Sequence, residues 1–148
     1  LRTVGYHEDD EEQYRIVEGV SKLLEPESVL EIGCGYQRFR ELFDSYTGID
    51  NDPAKNPDYV MDINQLDFAD QSFDMVLSCT VLMHNKDVAK ALKEIARVAR
   101  RYIVLIESYR WIGKARPHRY EFEGFEKCLE LNLTTTLSPL RVWIFKRR

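Results

Sequence analysis

Apolar residues recur along this chain with two different periods, and the change from one to the other marks its elements. Between residues 10 and 24, Tyr14, Val17, Val20, Leu23 and Leu24 fall at helical spacing, and Pro26 ends the helix they predict. Short apolar runs follow. Residues 28–32 predict a buried strand, residues 46–50 a second, residues 59–62 a third and residues 72–78 a fourth. Residues 102–106, the most apolar run, predict a central fifth strand. Phe39, Leu42 and Phe43 give the segment after the first strand the apolar face of a helix, whereas the segment after the second strand is too short for a full helix. Asn85 is placed to cap a helix carrying Val88, Ala91, Leu92, Ile95 and Val98. A short helix is expected around residues 122–130. Residues 131–137 and 141–145 then read as two strands joined through Ser138-Pro139.

Strands alternating with helices and closed by a hairpin imply an α/β fold: a Rossmann-like, doubly wound, mostly parallel sheet with a C-terminal antiparallel hairpin, in a three-layer sandwich. The 148 residues suffice for one sizeable core, and no repeat or Gly/Ser linker divides them, so residues 1–148 read as one domain with no separate substrate domain. The chain has no apolar stretch of membrane-spanning length, and its start does not read as a signal peptide. Cys34, Cys79 and Cys128 are odd in number and far apart, which argues against a disulfide framework or zinc site and fits a reducing cytoplasm. His7, His84 and His118 lack metal-ligand spacing, so no metal is expected.

The net charge of −4 conceals an asymmetry. Residues 8–12 are all acidic and read as a solvated face. From Arg97 to Arg119 seven cations stand against Glu107 alone, and the part after the fifth strand begins on the rim where ligands of such sheets bind.

That rim carries the candidate chemistry. Gly33, Asp50, Asp62, Ser78 and Glu107 each fall at or just past a strand end. The glycines of Glu31-Ile32-Gly33-Cys34-Gly35 allow a tight turn and close ligand approach, and a helix beginning there would offer free amides to an anion. A dinucleotide site would continue as GxGxxG, but Gln37 and Arg38 follow, which favours the smaller amino-acid end of a methionine-type cofactor. Asp50, with Asn51 beside it, is placed to accept two ribose hydroxyls. Asp62 is placed to accept an adenine amino group, with Ile63 and Leu66 flanking the ring.

Taken together, residues 29–35, Gly48-Ile49-Asp50, Asp62 with residues 66–68, residues 71–78, residues 80–84 and the helix around residues 94–98 resemble the class I S-adenosylmethionine-dependent methyltransferases, in particular the methyltransferase-type-11 domain. The resemblance implies S-adenosyl-L-methionine as cofactor and S-adenosyl-L-homocysteine as product. It places Glu31, Gly33, Cys34 and Gly35 around the methionine moiety, Asp50 and Asn51 at the ribose, Asp62 and Ile63 at the adenine, and Ser78, Cys79 and Thr80 along the methyl-transfer channel. Gln37 departs from a common third glycine, one helix of the usual set is missing, and no cap domain is inserted.

Methyl transfer is a direct displacement that depends on alignment, and it needs a base only where the nucleophile must lose a proton. His84, Glu107 and His118 are the candidate bases. Tyr109, Arg110 and Trp111 open a loop of cations and aromatics suited to an anionic or planar acceptor, a small molecule or a modified biopolymer. Nucleic acid is less favoured by the acidic net charge, and no membrane is expected. Tyr6, His7 and Tyr14 are placed to fold over the cofactor as a lid. The strand exit Ser78-Cys79-Thr80-Val81 lacks the Asn/Asp-Pro-Pro-Tyr/Phe signature of many amino-nitrogen methyltransferases. Two alternatives stand beside methyl transfer: a non-catalytic or partner-activating cofactor-binding subunit, and a nicotinamide-dependent oxidoreductase. The missing cap leaves room for a homodimer or an activating partner to complete the site.

Overall fold

The computed structural model describes residues 8–110, 114, 117–134 and 139–148. Its frame is one seven-stranded sheet. In chain order the elements are α1 (Glu8–Leu24), β1 (Val29–Ile32), β2 (Tyr46–Asp50), β3 (Tyr59–Val60), β4 (Phe73–Cys79), α2 (Ala89–Val98), β5 (Ala99–Ser108), β6 (Phe125–Thr134) and β7 (Pro139–Arg147). Their order across the sheet is β3-β2-β1-β4-β5-β7-β6. β1 to β5 are parallel, and β7 and β6 add antiparallel at one edge. The chain steps outward from β1 to β2 and β3, then returns to the other side of β1 with β4. The strand order therefore reverses between β1 and β4, and such a point opens a crevice beyond the carboxyl ends of the strands.

The alternation of side chains along each strand builds two cores. On one face, Leu30, Ile32, Val76, Ile103, Leu105, Trp143 and Phe145 pack against Ala91, Ile95 and Val98 of α2. On the other, Val29, Met75, Leu77, Val104, Ile106 and Val142 pack against Val17 and Val20 of α1. One helix on each side makes the three layers. In α2 the buried residues are spaced four and three apart, the period of one helical face.

Three local expectations are corrected. The helix expected after β1 is a single 3-10 turn, Arg40–Leu42. Gly35 (φ +51°) and Gln37 (φ +58°) hold the backbone out of the right-handed helical region, and the chain must cross back to β2 within the residues that remain. The helix expected to begin at Asn85 begins at Ala89, where Asp87 Oδ1 accepts the Ala89 amide at 3.0 Å; Asn85 instead closes a 3-10 turn at Leu82–His84. Where a short helix is expected around residues 122–130, residues 125–130 form the first half of β6. A bulge between Lys127 and Leu129 shifts the register there, so the period-2 pattern changes face midway.

The basic stretch also divides. Arg97 pairs with Glu94 and Asp70 and donates to the carbonyls of Leu66 and Phe68. Arg100 and Arg101 converge on the buried Asp74 near the start of β4. These three arginines therefore stand at the end of the strands opposite the crevice, in structural ion pairs.

Candidate active site

The crevice at the β1/β4 reversal is a cleft of about 410 Å³ lined by Gly33, Asp50, Asn51, Met61, Asp62, Ile63, Asn64, Thr80, Val81, His84 and Asn85. Four separate connections supply these residues: the turns after β1 and β2, the segment after β3 and the exit of β4.

The turn after β1 requires glycine. Gly33 has φ +61°, and a Cβ there would lie 2.8 Å from Val81 Cγ1 and closer still to Cγ2. The absent side chain lets the β4 exit pack directly on the β1 turn. Gly35 has open space at its Cβ position, and its amide donates to Asp50 Oδ2 at 2.9 Å. Asp50 Oδ1 accepts the Asp52 amide at 2.9 Å. Asp50 therefore caps the following turn and is part of the cleft lining. The Oδ1 atom of Asp62 accepts from the Asn64 amide at 2.8 Å and from its Nδ2 at 3.0 Å, an Asx turn that fixes the carboxylate beside Met61 and Ile63.

Five residues expected at the cofactor are not among those that line the cleft. Glu31 is buried and accepts the Tyr46 hydroxyl; burial pushes its carboxyl up to about 8, against the opposing pull of Tyr46 and Arg38. Cys34 is buried against Gly48, where a Cβ would meet its Sγ at 2.9 Å, and burial raises its thiol to about 12. Gly35 orients Asp50. Ser78 is buried and donates to Glu107 Oε1 at 2.8 Å. Cys79 is buried, with Sγ 3.4 Å from Gln13 Oε1. Thr80, at φ +56°, lines the cleft, and its amide donates to the Ile106 carbonyl at 2.7 Å.

The three expected bases separate. His84 is exposed on the cleft wall. His118 lies outside the lining, its Nε2 2.8 Å from the carbonyl of Asn85, so it ties the segment after β5 to the cleft wall. Glu107 has no exposed surface; burial raises its carboxyl to about 7, opposed by hydrogen bonds from the Leu82 amide, Ser78 and the Met83 and Val81 amides. A substrate cannot reach this carboxyl, which corrects its expected role as a base. Tyr109 and Arg110 stand apart from the cleft: Tyr109 packs under the Arg141 guanidinium, whose Cζ is 4.8 Å from the ring centroid. Trp111, Tyr6 and His7 lie outside the described residues. Tyr14 does not cover the cleft, since it donates to Glu41 at 2.5 Å and packs on Phe39.

Sequence reasoning missed Gln13. It is buried on the apolar face of α1, four residues before Val17, and its Oε1 accepts from Arg38 Nη2 at 2.9 Å. A lone amide on an otherwise apolar helical face was the available signal. Met61, Asn64, Val81 and Asn85 were also missed as lining residues. Among the described residues no group of three or more His, Cys, Asp or Glu side chains is placed to hold a metal ion, and no helix is long and apolar enough to cross a membrane.

Residues 30–105, just over half of the chain, match the family defined as a methyltransferase domain. No curated protein matches the sequence. Among solved structures, the magnesium protoporphyrin IX methyltransferase of Synechocystis PCC 6803 with bound SAM is similar at 17% identity and a TM-score of 0.75, over 100% of this chain and 86% of that one. The PH0226 protein of Pyrococcus horikoshii OT3 is similar at 15% identity and a TM-score of 0.74, over 99% of this chain and 94% of that one. A putative methyltransferase of Haloferax volcanii, solved in complex with the Trm112 methyltransferase activator, is similar at 13% identity and a TM-score of 0.69, over 94% and 92% of the two chains. At these identities the likeness establishes the fold.

Proposed function

From membership of the methyltransferase-domain family, to which this chain belongs, we propose that the protein binds S-adenosyl-L-methionine in the β1/β4 cleft and transfers its methyl group to an acceptor by direct displacement. The observation that carries the reading is the convergence of Gly33, Asp50, Asp62 and Thr80 on one cleft at the strand-order reversal. Its volume of about 410 Å³ falls within the range of small-molecule sites.

The donor set suits an adenosine-containing sulfonium. Each Asp50 oxygen is already held by one amide and keeps a lone pair for a ribose hydroxyl. Among the described residues Asp62 Oδ2 has no hydrogen-bond partner, and it can accept an exocyclic amino group, while Met61 and Ile63 supply apolar contact for a ring. When bound, the sulfonium supplies an activated methyl group, so the protein's task is to hold donor and acceptor in line and exclude water. Thr80, Val81 and His84 form the wall toward an acceptor. His84, exposed and at the end of a 3-10 turn, is the side chain best placed to take a proton where the nucleophile carries one. The acceptor is a small molecule or modified biopolymer.

A partner-dependent form of the same activity is the second reading. It is favoured by the similar fold solved with an activator. Titration calorimetry with S-adenosylmethionine tests the reading: a single site on the wild-type chain supports it, and absence of binding to folded protein overturns it.

A further inference from the structure

Glu107, the residue before the last of β5, has no exposed surface, and the displacement itself gives a carboxylate there no task. We infer that Glu107 is a positioning residue: by accepting hydrogen bonds from Ser78 and from three successive backbone amides, it sets the β4 exit against the cofactor cleft. The inference rests on the reading of the cleft given above. Oε1 accepts Ser78 Oγ at 2.8 Å, the Val81 amide at 3.2 Å and the Leu82 amide at 3.1 Å. Oε2 accepts the Met83 amide at 3.2 Å.

These amides open the Leu82–His84 turn, and the first amides of any helical turn lack partners within it. The residue before the turn, Val81, offers no side-chain cap. Glu107 supplies that cap from a different strand. The same strip of chain carries Thr80, Val81 and His84, which line the cleft, and Val81 packs where Gly33 leaves no Cβ. The carboxylate therefore fixes the separation of the two cleft walls. A carboxylate suits this task because both oxygens only accept; the amide of Gln would turn an NH2 donor toward one of the backbone N–H groups.

Among the described residues, few polar groups surround the carboxylate. Ser78 faces it from β4. Arg141 lies across from it on β7, with its guanidinium turned to Asn132 and Glu130. Tyr120 faces it from the segment after β5; burial and then the Glu107 charge keep that hydroxyl neutral, and among the described residues it has no hydrogen-bond partner. His118 reaches the Asn85 carbonyl, and His84 sits on the turn itself.

The test is calorimetry of the full chain with S-adenosylhomocysteine across about pH 5.5–8.5, for wild type and Glu107→Gln, with circular dichroism as the check on folding. Wild-type affinity is expected to fall as pH drops through about 7. Glu107→Gln is expected to bind about tenfold more weakly, with that part of the pH profile flattened. Any contribution of His84 or His118 is common to both proteins. Should Glu107→Gln fail to fold, Ser78→Ala removes one of the four donors and is expected to weaken binding by about two- to threefold. A folded Glu107→Gln that binds as wild type does, with the wild-type pH profile, overturns the inference; so does unchanged binding by Ser78→Ala where that variant is needed. Failure of the wild-type chain to bind at all overturns the cleft reading, and the inference with it.

Discussion

The Gly35 amide donates to Asp50 Oδ2 at 2.9 Å, joining the turn after β1 to the end of β2. With Oδ1 held by the Asp52 amide, the carboxylate is oriented by the backbone before a ligand arrives. A pre-oriented acceptor avoids the entropy of ordering a side chain on binding.

Asp50 should accordingly dominate cofactor affinity. Asp50→Ala removes both ribose acceptors and frees the two amides. Calorimetry with S-adenosylhomocysteine should show a loss of about 2–3 kcal/mol. Asp50→Asn, which keeps the shape but one acceptor oxygen, should lose less.

Gly33 should be intolerant of even one methyl group. Gly33→Ala combines a strained positive φ with the overlap on Val81, and should cost about 1–3 kcal/mol in denaturant unfolding. Val81→Ala in the same chain should recover part of that loss. Additive costs in the double variant would show that the two residues do not press on each other.

Stability should fall as pH rises from about 4.5 to 8. Burial raises Glu31 to about 8 and Glu107 to about 7, both above the ordinary 4.5. Between those values the native protein keeps protons that the unfolded chain has released, so the stabilising difference is complete at low pH and lost as pH climbs through the folded values. Glu31→Gln should flatten the dependence of Tm on pH in this window and raise Tm above about pH 8 relative to wild type. An unchanged slope would show that Glu31 is not protonated in the native state.

Much of this architecture could be read in advance because its signals are local. The apolar runs of β1, β4 and β5, the glycines before Cys34 and after it, and the carboxylates of Asp50 and Asp62 all announce themselves within a few residues. Long-range relationships did not. Nothing near Glu107 in sequence indicates that its partners are the amides of residues 81–83, or that Gln13 meets Arg38 and Cys79. The segment after Gly35 has a helical apolar spacing, yet the positive φ angles of Gly35 and Gln37 defeat it. In β6 the bulge beside Cys128 breaks the alternation on which a strand is recognised.

Asp74 tests whether the two ends of the sheet act independently. Burial alone would raise its carboxyl, but Arg101, the Glu27 amide and Arg100 hold it below the ordinary range. Asp74→Ala should cost about 2 kcal/mol of unfolding stability, since the arginines can turn to solvent, and should leave cofactor affinity unchanged. A parallel loss of affinity would mean that the strand starts are coupled to the cleft.

The central claim is that an adenosine-containing methyl donor occupies the β1/β4 cleft. A crystal structure with S-adenosylhomocysteine measures this most directly. The ribose hydroxyls are expected on Asp50, the adenine amino group at Asp62 between Met61 and Ile63, and the thioether beside Thr80. Ligand bound at another surface, or bound in the cleft with Asp50 making no contact to the ribose, would contradict the account.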